Sequence, residues 1–304
     1  MFKHRITVFT PTYNRAYIIE QLYKSLCQQS FKDFEWLVVD DGSNDNTQEL
    51  FNKWVKEADF TIRYYKTQNG GKHRAINHGL DLAEGEIFFT MDSDDRLTID
   101  ALEKMDRWFK EIADETKLNG IVANCGSTIT NTPNDFFIET YLDKSLADMN
   151  TYCENGKKVL NGERAIAFYT DYHRKYHFPE FMGENFMTEA VVYNRMSNDG
   201  NLMRFYNDII WLYKYQEDGL TSAGSSNFIK NPRGYGLWIK EKMEFSNTRL
   251  KEKLLVYYQF TCDLASTYNT RTIAECIGVP NITIKGFVFV HKLLKKIRGN
   301  SEND

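Results

Sequence analysis

The sequence predicts an α/β fold: a mostly parallel central sheet with helices on both faces, followed by a mainly helical C-terminal region. Three observations carry this. Strand-like and helix-like runs alternate over the first 130 residues. Polar turn clusters close several of the strand runs. From about 237 to 298 the apolar pattern is helical throughout. The chain has 304 residues, 42% hydrophobic and 26% charged. That suffices for one large domain with a smaller appendage and is too apolar for general disorder.

The elements follow in order. Residues 6–10 read as a buried strand and 16–29 as an amphipathic helix. FEWLVVD at 34–40 is a second strand, ended by the turn Asp41-Gly42-Ser43-Asn44, and 47–58 is helical with Asn44 or Asp45 suited to its N-cap. A third strand spans 61–66, and a third helix, 72–83, follows the turn Asn69-Gly70-Gly71. The fourth strand, 86–91, runs into Asp92-Ser93-Asp94-Asp95, followed by a helix at 99–113 and a strand at 120–129. Regularity weakens from 132 to 180, a helix signal returns at 188–196, and the Gly/Ser/Asn-rich stretch 221–236 reads as mobile. The predicted domains are 1–215 and 216–304, the latter a flexible loop with helices.

Composition excludes several classes. A net charge of -4 argues against coating nucleic acid through the overall field. Five scattered cysteines without a CxxC pair point to reduced thiols rather than a disulfide framework or zinc ribbon. The N-terminus lacks the apolar core of a secretory signal, and no window approaches 18 uninterrupted apolar residues, so a cytoplasmic protein without a membrane span is expected.

Four polar stretches carry chemistry. Asp92 and Asp94 stand two apart, so in extended chain their carboxylates share a side, at the carboxyl end of a parallel strand where open α/β sheets bind ligands. Mg²⁺ or Mn²⁺ bridging a diphosphate suits such a pair; an acidic loop capping the next helix is the plainer alternative. Asp40-Asp41 can accept hydrogen bonds from a ribose or a base, or simply form an Asp-Gly-Ser turn. Thr10-Pro11-Thr12-Tyr13-Asn14-Arg15 offers an aromatic face and an Arg, without a GxGxxG or Walker A pattern. Asn69-Gly70-Gly71-Lys72-His73-Arg74 opens a helix with cations that suit phosphate, or is a solvated basic helix start. All four fall on one predicted sheet edge.

In the order TPTYNR, VVDDGSNDNT, NGGKHRAINHGL and EGEIFFTMDSDD, the chain resembles a family 2 glycosyltransferase of the GT-A fold, the family that includes bacterial capsule, exopolysaccharide and O-antigen transferases. The resemblance spans residues 4 to about 106. It implies that Asp94 ligates Mn²⁺ or Mg²⁺ and that Asp92 contacts the ribose or metal, with Asp95 extending the cluster. It further implies that Asp41 pairs with the base, that Thr10, Thr12 and Tyr13 line the nucleoside pocket, and that Lys72 and Arg74 reach the base or diphosphate. The expected partners are a UDP-sugar donor and a saccharide or lipid-linked saccharide acceptor, with inversion at the anomeric carbon in surface polysaccharide synthesis.

Inverting transfer needs a carboxylate to deprotonate the acceptor hydroxyl. Relatives carry an acid followed six residues later by Arg, which Glu189 and Arg195 match, although many have Glu-Asp where this chain has Thr188-Glu189. Glu184 is the rival. Lys230 or Arg233 of the mobile stretch is a candidate for the diphosphate, and Tyr235 or Trp238 for an acceptor sugar, packing being the commoner fate of such rings. His173 and His177 have zinc-like spacing without a third ligand. Residues 284–298 carry five Lys/Arg and no acid, which suits either a packed helix or peripheral contact with anionic lipid. A sugar nucleotidyltransferase and a catalytically silent GT-A scaffold are the alternatives; the first lacks its usual Gly-rich loop here, and the second is disfavoured by Asp41, Asp92, Asp94 and Glu189 together.

Overall fold

Residues 34–40 are buried at every position, which a strand achieves when both faces of its sheet are covered. The computed structural model describes residues 2–149, 151–214, 216, 224–246 and 248–301, and the chain divides into two units. The first unit comprises residues 1–178 and 195–217. It contains β1 (His4–Thr12), α1 (Glu20–Cys27), β2 (Phe34–Asp40), α2 (Thr47–Glu57), β3 (Thr61–Lys66), α3 (Lys72–Leu82), β4 (Gly85–Thr90), β5 (Arg96–Leu97) and α4 (Ala101–Glu111). It continues with β6 (Leu118–Gly126), β7 (Tyr141–Lys144), the small hairpin β8 (Cys153–Glu154) and β9 (Lys157–Lys158), β10 (Arg164–Tyr169) and α5 (Thr170–His173). The last residues of α6 (Ala190–Asn198) and the long β11 (Leu202–Leu212) complete it.

The sheet order is β3-β2-β1-β4-β10-β6-β11-β5, with β7 on β11. β3, β2, β1 and β4 are parallel, whereas β10 runs antiparallel to both β4 and β6. Aromatic side chains hold α1 and α2 to this sheet: Tyr23 stacks on Trp54 at 4.4 Å between centroids, and Phe51 meets Trp36 at 5.0 Å and Tyr64 at 4.8 Å. Each such side chain contributes about 1.5–3 kcal/mol when fully withdrawn from water.

The alternating front half matches the sequence reading, with ends displaced. The helix expected from residue 16 starts at Glu20, because the amides of Ile18 and Ile19 both turn back onto the Arg15 carbonyl, each at 3.0 Å. The expected irregularity of 132–180 holds only in part, since β7 and β10 lie within it. β11 was not anticipated; its register slips against β6 at three points, which breaks the two-residue alternation a strand normally displays.

At the amino-terminal ends of the strands the charges are matched within the protein. Glu35, fully buried, accepts from the Thr7 hydroxyl at 2.6 Å, the Glu84 amide at 2.6 Å and Arg63 Nη1 at 2.9 Å. His173, also buried, lies between Phe168 and Phe88 with centroids 4.5 and 5.7 Å away, whereas His177 Nε2 meets Asp81 at the surface at 3.0 Å. The zinc-like spacing therefore reflects one core ring and one surface ring.

The second unit comprises residues 179–194 and 218–304. The sequence reading cuts the chain once, after residue 215, whereas this unit also takes in 179–194. It holds α7 (Ser225–Lys230), α8 (Pro232–Phe245), α9 (Leu250–Leu264), α10 (Thr270–Ile277) and α11 (Asn281–Ser301) around Phe260, Leu264, Ile273, Ile277 and Ile284. Of the stretch expected to be mobile, 221–223 lie outside the described residues, and the chain is helical from Ser225 apart from Asn231. Its breaker residues serve packing instead. Pro232 occupies the first turn of α8, where its missing amide costs nothing. A Cβ on Gly236 would come 2.4 Å from the Cys276 carbonyl oxygen, so glycine permits close helix contact. Among the described residues no single helix is long and apolar enough to cross a membrane; the pair Thr270–Ile277 and Asn281–Lys295, bent by 119°, passes that test jointly.

Candidate active site

β1 and β2 stay in register to their last residues, with Thr12 opposite Asp40, and Phe9 of β1 lies opposite Thr90 of β4. The loops leaving these three strands therefore emerge side by side at the carboxyl edge of the sheet, where ligands of open α/β sheets bind.

Two of the loops are braced on each other. The Asn14 amide donates to Ser43 Oγ at 2.7 Å, the Asn44 amide to Asn14 Oδ1 at 2.8 Å, and the Ala16 amide to Asp45 Oδ2 at 2.9 Å. Asn14 takes a left-handed φ of 53°, which Asn tolerates well. Asp45 Oδ1 also accepts from the Thr47 amide and hydroxyl, and so holds the start of α2 from one residue before its N-cap, Asn46. Thr10 is fully buried and its hydroxyl accepts from Trp36 Nε1 at 3.0 Å, so it supports the loop from beneath. The Thr12 hydroxyl is buried with no hydrogen-bond partner among the described residues, and the Tyr13 ring is 46% exposed.

Asp41 is buried, and its two oxygens accept the amides of Gly70 at 2.7 Å and Gly71 at 2.8 Å. Gly71 has φ 95°, a left-handed angle open to glycine, which lets both amides face one carboxylate. Burial raises the Asp41 pKa and those amides pull it back. Arg74 folds over the same turn, its Cδ 2.6 Å from where a Cβ on Gly70 would stand.

Lys72, which follows Gly71, places Nζ 2.8 Å from Asp92 Oδ1. Burial, and then the charge of Asp92, raises the Asp94 carboxyl above its ordinary range, while Arg15 and Lys72 partly offset the effect. Burial and Asp92 push Asp95 up to about 8, although Trp211 Nε1 donates to its Oδ2 at 2.7 Å. Burial and mutual repulsion thus disfavour full ionisation of Asp94 and Asp95. A cavity of about 860 Å³ lies nearby, lined by Gln21, Arg96, Ile99, Lys104, Phe136 and Asp208, and the Gln21 amide donates to the Asp94 carbonyl.

The two candidate bases lie in the second unit. Glu184 is buried and tied to the start of α8: its carboxylate accepts the amides of Arg233 at 2.8 Å and Gly234 at 2.9 Å, and Arg233 Nε at 3.3 Å. Asn231 Oδ1 reciprocates by accepting the Asn185 amide at 2.8 Å. Glu189 is half-buried immediately before α6, and its carbonyl accepts the Tyr193 amide. Tyr235 packs on Phe260 and donates its hydroxyl to Asp263, and Trp238 stacks on Phe228, so both rings serve the helical core.

The structure therefore joins Asp41 to the Gly70–Gly71 turn and Lys72 to Asp92, beside Asp94. Sequence reasoning missed Ser43 and Asp45 as loop braces, Gln21 beneath Asp94, and Trp211 on Asp95. The Asp-Gly-Ser-x-Asp run gave a signal for the first two; the others depend on long-range packing. The described residues also bring ligand-type atoms of His4, Glu35 and Glu84 within 4.8 Å of one another. The Glu35 oxygens there already accept protein donors.

Residues 7–195, more than half the chain, match the family model described as glycosyl transferase family 2. A Campylobacter jejuni GalNAc(5)-diNAcBac-PP-undecaprenol beta-1,3-glucosyltransferase is 38% identical over 103 residues, 33% of this chain and 33% of that protein. The Bacillus subtilis putative teichuronic acid biosynthesis glycosyltransferase TuaG is 34% identical over 103 residues, 34% of this chain and 41% of its own. The chain thus spans well under half the length of these curated relatives. Among solved structures, Staphylococcus aureus TarS 1-349 in complex with UDP-GlcNAc has a TM-score of 0.59 at 19% identity, covering 88% of this chain and 82% of that one. Mannosyltransferase PcManGT from Pyrobaculum calidifontis, in complex with GDP-Man and Mn2+, has a TM-score of 0.56 at 17% identity, covering 97% and 81%. Both likenesses are of fold.

Proposed function

The chain belongs to glycosyl transferase family 2, and from that premise we propose that it moves a hexose or N-acetylhexosamine, with inversion, from a UDP-sugar to a saccharide acceptor, lipid-linked or free. The setting is surface polysaccharide synthesis at the cytoplasmic side of the membrane, capsule included. The observation that carries the reading is the run of contacts from Asp41 through the Gly70–Gly71 turn to Lys72 and Asp92, two residues before Asp94. It presents a base-sized acceptor group, phosphate-seeking cations and metal-seeking acids along one sheet edge. The relatives support the acceptor class, since one is named for a lipid-linked glycan and another for teichuronic acid synthesis.

Mn²⁺ or Mg²⁺ fits the acid cluster on its charge balance. The carboxyl groups of Asp94 and Asp95 are raised by burial and by Asp92, a strain that a divalent cation relieves. Such ions need only one or two carboxylates when phosphate oxygens complete their coordination. Asp94, with Asp92, would hold it, and its chemistry would be to neutralise the departing diphosphate. Thr12 and Tyr13 line the nucleoside pocket, with Thr10 beneath, and Lys72 and Arg74 meet the diphosphate. Glu189 takes the proton of the acceptor hydroxyl. Glu184, whose carboxylate anchors the start of α8, is the alternative base. The cavity near Asp94, with Ile99 and Phe136 among polar groups, suits an acceptor sugar.

The test is release of UDP from a panel of UDP-sugars with and without Mn²⁺, alongside pyrophosphate release from UTP. Metal-dependent UDP release is expected; pyrophosphate release instead would convict a nucleotidyltransferase, and inertness in both a scaffold. Glu189→Gln is expected to lower kcat by roughly 10²–10⁴-fold. Glu184→Gln is expected to lower Tm first.

A further inference from the structure

Helix α11 buries one apolar side and exposes another. Ile284 is fully buried and Phe287 and Val288 pack on the core of the second unit. On the same side, His291 Nδ1 lies 3.1 Å from the Tyr258 hydroxyl. At helical spacing on the opposite side stand Ile282, Phe289 and Leu293, with Val290 and Leu294 exposed on its flank; Phe289 is 68% and Leu293 49% exposed. Helix α9 of the same unit also exposes Leu250, Leu254 and Leu255. Large apolar groups in such a row are uncommon on soluble surfaces and mark a contact face.

Charge indicates what covers it. Lys285, Lys292 and Lys295 are exposed along α11. The helix has five Lys/Arg and no acid, whereas the whole chain carries -4, which leaves -9 on everything else. A second copy meeting this face across a two-fold axis would set two such cationic helices against each other. An anionic bilayer instead offers phosphates to the lysines and hydrocarbon to the apolar row, as interfacial helices require.

We propose that α11 docks this chain on an anionic lipid surface. The helix lies in the headgroup plane, with Phe289, Val290 and Leu293 dipping into the acyl boundary. Nothing in this depends on the donor, the acceptor or the metal.

The full chain is floated with vesicles of equal parts phosphatidylcholine and phosphatidylglycerol, and with pure phosphatidylcholine. Binding to the anionic vesicles is expected at least about tenfold above the neutral ones, falling in high salt. Phe289→Glu with Leu293→Glu is expected to abolish it, and Lys285→Glu with Lys292→Glu to remove the preference for anionic lipid, Tm unchanged in both since all four side chains are exposed. Equal background recovery from both vesicle types would overturn the proposal. So would a solution dimer, seen by light scattering, that the Phe289/Leu293 variant converts to monomer. UDP-sugar hydrolysis in free solution, measured on the same samples, keeps this outcome separate from that of the transferase assignment.

Discussion

The two ends of strands β1, β2 and β4 both gather acids, and they treat them differently. At the amino-terminal edge Glu35 has a hydroxyl, an amide and a guanidinium on its oxygens, and Arg5 meets Glu86 and Asp106. At the carboxyl edge Asp92 has Lys72, while Asp94 and Asp95 hold their protons above the usual carboxylate range. The first set is matched by protein donors, and the second is the set proposed to meet a cation. Clustering alone does not separate these cases, since among the described residues His4, Glu35 and Glu84, with ligand-type atoms within 4.8 Å of one another, lie at the answered end.

Substitutions at the two edges should therefore fail in different ways. Asp94→Asn is expected to lower kcat by about 10²–10³-fold and to abolish the Mn²⁺-dependent thermal shift with UDP. Its Tm should hold or rise, because a like charge leaves the cluster; full turnover in this variant would break the comparison. Glu35→Ala should do the reverse, lowering stability by about 3 kcal/mol because Arg63 loses its buried partner. Denaturant titration reads this, and kcat of the folded fraction should stay near wild type. Asp41→Ala belongs to both edges in kind, since it frees two turn amides and removes the proposed base contact. A donor KM raised roughly tenfold, with a smaller change in kcat, is expected from the loss of one or two hydrogen bonds.

The smallest effect sharpens the contrast by pH. His173 is held down to about 3 by burial and then by His177, against about 6.5 in an unfolded chain. Between those values the unfolded chain binds a proton that the folded one refuses, so stability rises with pH across that window and is flat above it. His173→Leu should remove up to about 1.4 kcal/mol per pH unit of that slope. Urea midpoints at pH 5 and pH 7.5 measure it, and an unchanged slope would place the ring in water.

The front half of the first unit was legible because each strand there is short, apolar and followed by its own helix. β10 and β11 were not, for opposite reasons. β10 (RAIAFY) reads as apolar without a neighbour to pair with, since its partners β4 and β6 lie far off in sequence. β11 loses its alternation at its bulges. The acids of the candidate site were legible from spacing, but the donors to Asp41 are backbone amides, which leave no trace in side-chain chemistry. Within 221–236 the described part is helical from Ser225 because glycine and proline mark close helix packing as well as loops.

The Lys72–Asp92 pair has a bearing on how a donor would enter. On the proposed reading, a diphosphate arriving with its metal would complete an exchange, in which Lys72 would give up Asp92 for phosphate and Asp92 would give up Lys72 for the cation. Little net charge is then newly exposed or newly hidden, and nucleotide affinity should depend on ionic strength more weakly than the formal charge of a diphosphate suggests.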